Sequence, residues 1–243
     1  LEWTKLAAQF PSNPMMSSGT LSGALPDERV TMRFRQRMEA MSVAEVIATL
    51  DEIAALDLPA DARANLEWTL LDALVRKDPE LALGQMEERS VLESQGYAYL
   101  ISNTLMAWAK TDSVAAGAWL DQQIAAGKFV SKTLDGMGGP RQMFESALLG
   151  ILLTSSPDAA ARRLSALPED QRDEVFSSPF HFRIRPGTEK AVADLIRTQV
   201  AADERLTTLG RSSAPLVKQG GYGKVGEFLG AIDASAEERA EIG

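Results

Sequence analysis

Six times along this 243-residue chain a helix-starting position is followed, four and eight residues later, by side chains on one face of a helix, apolar at every place but Lys224. The starting positions are Ser42, Asp78, Asp112, Ser156, Thr188 and, as the least typical, Gly220, at spacings of 36, 34, 44, 32 and 32 residues. Four residues on lie Val46, Ala82, Ala116, Ala160, Val192 and Lys224. Eight residues on lie Leu50, Met86, Leu120, Leu164, Ile196 and Phe228, all apolar. Steps of four keep side chains on one face of a helix. Ser42 with Glu45 spells a capping box, and Pro79 and Pro157 occupy first helical positions, where the missing N–H costs nothing. A self-similar period of this length restricts the fold more than any other feature of the chain.

The segments before these caps repeat too. Counting back from Asp78, Asp112 and Ser156 aligns Leu66 with Leu100 and Phe144, Leu71 with Leu105 and Leu149, and Leu74 with Trp108 and Leu152. Leu58-Pro59-Ala60-Asp61-Ala62-Arg63 matches Leu167-Pro168-Glu169-Asp170-Gln171-Arg172, and Leu25-Pro26-Asp27-Glu28-Arg29 is a looser copy. Each phrase marks the turn into the next long helix. The unit is helix A, tight turn, helix B, short link. Strand-like alternation occurs only around Phe180–Arg185.

A helix pair this short cannot bury its apolar stripe alone, so neighbours must stack. The expected fold is all-α, a right-handed α-α superhelix of about six helix–turn–helix units. Residues 1–24, with Pro11, Pro14 and a Ser/Gly-rich run, read as a linker or loosely docked segment, and residues 25–243 as one helical-repeat domain. Two places break the period: an insertion in Gly127–Pro140, and a shortened A helix followed by the Ser177–Gly187 loop. Ser235 and Glu238 open one more capped helix near the C-terminus. A solenoid needs a polar terminal cap, so the expectation is a native chain that continues or an end that has been trimmed.

The phrase Trp108-Ala-Lys-Thr-Asp112-Ser-Val-Ala-Ala116, with periods near 34, resembles tetratricopeptide-like repeats. It is closer to the divergent bacterial Trp-Ala-x-x-Asp-Pro-x-x-Ala repeats of exported proteins. The Trp-x-x-Leu-Gly-x-x-Tyr signature of a true tetratricopeptide is absent. The resemblance implies partner binding, usually of protein segments, without chemistry. It favours an exported or periplasmic location over the cytoplasm. The chain opens on Leu1, which leaves a removed signal or anchor open.

Composition narrows the function classes. The net charge is −9, which argues against nucleic acid as a general partner. There is no cysteine, which removes disulfides, thiolate catalysis and cysteine-ligated metals. No apolar run approaches the ~18 residues of a membrane span. Neither catalytic, cofactor nor metal residues are expected. Gly136–Arg141 reads as a glycine link before a helix rather than an anion site, because no strand precedes it. Gly220-Gly221-Tyr222-Gly223-Lys224 fails the phosphate-loop pattern, with Lys218 where glycine is needed and Val225 in place of Ser/Thr, and reads as a turn between helices.

Candidate partner-binding residues come from three places. Arg29, Arg33 and Arg37, at i, i+4 and i+8, form a basic stripe on the first helix, suited to an acidic partner. Tyr97, Tyr99 and Asn103 on one A helix, and Arg141 and Gln142 opening another, suit an extended peptide. His181, the only histidine, joins Arg183 and Arg185 in a cationic loop. The expected function is a non-enzymatic scaffold binding a protein or peptide on a concave helical surface. The alternatives are a structural spacer or regulatory domain of a larger exported protein, and an enzyme whose site is assembled from the loops at the period breaks.

Overall fold

The first four amides of a helix lack intrahelical acceptors, so helix starts fall where side chains replace them. The computed structural model describes residues 32, 36–129, 140–177 and 184–243. Helix α1, Val43–Ala55, opens on a complete capping box: the Glu45 amide donates to Ser42 Oγ at 3.3 Å, and the Ser42 amide donates to Glu45 Oε2 at 2.7 Å. Helix α2 is Ala60–Val75. Helix α3, Pro79–Glu88, begins with the Leu81 amide donating to Asp78 Oδ1 at 2.9 Å. Helix α4, Ala98–Ala109, follows a 3-10 turn at Gln95–Tyr97. Helix α5, Ser113–Ala125, has Asp112 Oδ1 accepting from Val114 and Ala115 at 3.1 and 2.9 Å.

Helix α6 is Pro140–Ser155 and α7 is Pro157–Ser165. The shortened A helix is α8, Arg172–Ser177, six residues after a 3-10 turn at Glu169–Gln171. Then come α9, Glu189–Gln199, α10, Arg205–Ala231, and α11, Ala236–Ile242, whose Ser235–Glu238 capping box is complete. No strand occurs among the described residues.

Two expected caps behave differently. Ser156 makes no side-chain bond to α7, which starts on Pro157. Thr188 makes none to α9, because its hydroxyl accepts from the Arg185 amide at 3.0 Å and donates to the Arg185 carbonyl at 2.8 Å. The sixth starting position is a kink. Gly220 and Gly221 leave helical geometry and divide α10, and Gly221 has φ +68°, a conformation that favours glycine.

The Leu-Pro phrases form the same turn twice. Pro59 has φ −53° and ψ 140°, and Pro168 has φ −52° and ψ 143°. Behind each, an arginine five residues after the leucine folds back on a backbone carbonyl. Arg63 Nη2 donates to Leu56 at 3.0 Å, and Arg172 Nε to Leu167 at 3.0 Å. Two turns without the phrase use the same device, Arg205 to Val200 at 2.9 Å and Arg239 to Ala234 at 3.0 Å. A guanidinium held on an orphan carbonyl tightens each link.

The repeated register is the core. Val46, Ala82, Ala116, Ala160 and Val192 are fully buried, and so are Leu50, Met86, Leu120 and Ile196, with Leu164 and Phe228 nearly so. Lys224, which broke the pattern, is exposed. Every aligned A-helix position from Leu66 to Leu152 is buried. Each Leu, Ile or Phe buried this way contributes roughly 1.5–3 kcal/mol.

The chain divides into two compact units, Leu1–Ala107 and Trp108–Gly243, with the boundary inside α4. In the first, α2 packs between α1 and α3. In the second, α6 is buried along almost its whole length and packs against α5, α7 and α8. The Ser146 hydroxyl donates to the Val175 carbonyl and ties α8 to α6. Helix α7 meets α9, α8 and α9 meet α10, and α10 meets α11. The described chain is thus all-helical, each helix packed on neighbours near in sequence.

Candidate interaction sites

Arg37 is exposed and lines a shallow groove of about 460 Å³ with Ala40, Met41, Glu45, Ala48, Thr49 and Glu52. Two carboxylates in that lining make it mixed in charge rather than basic. Its partners in the expected stripe, Arg29 and Arg33, lie outside the described residues, as do His181 and Arg183.

Tyr97 and Tyr99 separate sharply. Tyr97 is 3% exposed and its hydroxyl donates to the Ala64 carbonyl at 3.3 Å, linking the turn before α4 to α2. Burial, and secondarily the Glu67 carboxylate, push its phenol well above the usual tyrosine range. Tyr99 is 43% exposed, and Asn103, one turn along α4, is half-buried. The two share a face at i, i+4 spacing. All three belong to the first unit.

In the second unit, Gln142 is buried and Arg141 half-exposed at the start of α6. Arg185 is half-buried, its backbone engaged by Thr188. Arg141 Nε approaches Glu145 Oε1 at 3.9 Å. Glu145 is the most enclosed carboxylate among the described residues of this unit, its side chain 5% exposed, and its principal partner comes from α7. Arg163 Nε donates to Glu145 Oε2 at 2.5 Å and Nη2 to Oε1 at 3.3 Å, a two-point contact. Arg163 Nη2 also reaches Asp121 on α5 at 2.9 Å. The arm passes Gly117, where a Cβ would stand in ordinary van der Waals contact with Arg163 Nη1, at 3.6 Å. Burial holds the Glu145 carboxyl above the usual range, and the guanidinium groups of Arg163 and Arg141 offset it only in part.

A second pair, a half-buried arginine on a buried glutamate, closes the C-terminal end. Arg197 on α9 binds both Glu238 oxygens, at 2.8 and 2.7 Å, and the Ile232 carbonyl at 3.1 Å. These bonds, with the Ser235 amide, hold the Glu238 carboxyl below its usual value, and the Glu238 contact raises Arg197. Sequence reasoning passed over Glu145, Arg163 and Arg197, and saw Glu238 only as a capping residue. For Glu145 a signal existed, because it directly follows Phe144 as Glu67 follows the aligned Leu66. For the Arg197–Glu238 pair, 41 residues apart, nothing in the pattern pointed to it.

Among the described residues no group of three or more acidic or histidine side chains is placed to hold a metal ion, and no helix is long and apolar enough to cross a membrane. Comparison with protein-family models, with curated proteins and with solved structures gave no match to the chain.

Proposed function

We propose that the chain is a non-enzymatic helical-repeat scaffold that takes a protein or peptide partner on its A-helix surface, its helix pairs winding as a right-handed α-solenoid. One observation carries this reading. The positions four and eight residues past the caps are buried in pair after pair, with Lys224 the sole exception among them. Helices that spend one face on their neighbours in this way leave a row of faces free to vary, which is how repeat proteins bind partners. Tyr99 stands on such a face, and a tyrosine ring provides contact area at small entropy cost.

A photo-crosslinking side chain at Tyr99, compared with one at the exposed Glu80 on α3, tests the proposal in lysate of the source cell. The expected result is one dominant adduct from the Tyr99 position and none from Glu80. No adduct from either position would favour a spacer. Turnover of a small molecule by the purified chain, without an adduct, would favour the loop-assembled enzyme.

A further inference from the structure

The polar cluster around Glu145 has a counterpart in the first unit, with its two carboxylates and one of its two arginines at the same places in the repeat. Glu67 and Glu145 each follow the aligned residues Leu66 and Phe144, and Arg63 and Arg141 each lie four residues earlier. Asp51 and Asp121 each lie nine residues past a cap on the preceding B helix. Arg163, seven residues past its cap on α7, and Arg89, eleven past its cap at the end of α3 and so one turn further along, both reach back to the preceding B helix. Arg89 Nη2 meets Asp51 Oδ1 at 2.6 Å, and Arg163 Nη2 meets Asp121 Oδ1 at 2.9 Å. Even the exposures match, with side chains at 14% and 68% in the first pair, and 13% and 66% in the second. Glu67 is half-buried within the field of Arg89 and Arg63. In the intervening pair the equivalents of Arg63 and Glu67 are Tyr97 and Ile101, so the charged pattern skips one unit.

These clusters are poor devices for stability. The buried Nε atoms of Arg63, Arg89 and Arg141 have no hydrogen-bond partner. A partly satisfied buried network costs more than an apolar one of the same volume. The apolar stripe, however, has a defect of its own. Positions four and eight past the cap are both apolar in every pair but the last, so sliding one B helix by a single turn, about 5.4 Å, sets apolar on apolar again. Hydrophobic burial alone discriminates weakly between those registers. An aspartate–arginine bond of under 3 Å between successive B helices does not survive such a slip.

We propose that Asp51–Arg89–Glu67–Arg63 and Asp121–Arg163–Glu145–Arg141 are two copies of one register lock, each holding a B helix in a single position against the B helix before it. The lock acts within each compact unit and requires no partner. It contributes uniqueness of packing rather than stability, a known use of buried polar groups in helical assemblies.

The absence of cysteine allows a clean test by spin-label distance measurement. Labels enter through Gln122→Cys on α5 and Arg162→Cys on α7, both exposed. The parent chain should give one narrow distance. Glu145→Leu with Arg163→Met should keep or raise the melting temperature and add a second distance, displaced by about 5 Å, one helical turn. Asp121→Asn, at the exposed end, removes the arm between B helices without touching the buried pair, and should broaden the distance in a fully folded chain. An unchanged narrow distance in both variants would overturn the lock. A lower melting temperature with unchanged distances would also overturn it, making the cluster a stability clamp.

Discussion

Two glutamates with opposite proton affinities show how local surroundings set what a residue contributes. Glu145 is held above its ordinary proton affinity, mainly by burial. The folded chain therefore takes up its proton more readily than the unfolded chain does. Its stabilising contribution is full below the unfolded value, about 4.3, and is lost as pH rises through the folded one. Glu145→Gln should accordingly hold or raise the melting temperature at pH 7, and the difference should close in acid. Glu238 behaves in reverse, because the Arg197 bonds and the Ser235 amide depress it. Its contribution is present above about pH 4.3 and disappears as pH falls through the lower folded value. Glu238→Gln should cost about 1 kcal/mol at neutral pH through the capping box, and less in acid. Melting curves of both variants between neutral and acid pH check the pair of signs. The sequence marked Glu238 as a capping residue, but its guanidinium partner was invisible there, because a bond across 41 residues leaves no periodic trace.

Helix α5 carries the element-scale argument. Leu120 is fully buried on the repeated face, whereas Val114, six residues earlier, is 81% exposed. Leu120→Ala should cost about 2–5 kcal/mol, since the lost methyl groups leave a cavity. Leu120→Asp should unfold the second unit cooperatively by placing an unpaired charge in that site. Val114→Ala should stay within about 0.5 kcal/mol. Denaturant titration of the three variants reads these differences, and equal costs at both positions would refute the register. This face was legible because a four-residue step maps directly onto one side of a helix. The capping of α7 and α9 was less so. Ser156 and Thr188 look equivalent to Asp112 in sequence, but Thr188 is drawn away by the Arg185 backbone, and a competing local acceptor or donor is not written in helical periodicity.

At the scale of the whole molecule, the expected far-UV circular dichroism is dominated by helix, and a strong β signal would contradict the fold. The sequence alone determined the helices, most of their starting residues and the buried register, all of which depend on spacings of four to about 35 residues. It also singled out the six-residue α8, the glycine break in α10 and the C-terminal capping box. Only the tertiary structure decided which polar side chains meet. It buried Tyr97 on Ala64 while leaving Tyr99 43% exposed, although both are tyrosines two residues apart. It joined Glu145 to Arg163 and Asp121, and Glu238 to Arg197. Apolar burial is nondirectional and repeats with the helix, so it can be read from a periodic string. A salt bridge or hydrogen bond needs two particular atoms within about 3 Å of each other, and that distance exists only once the helices have packed.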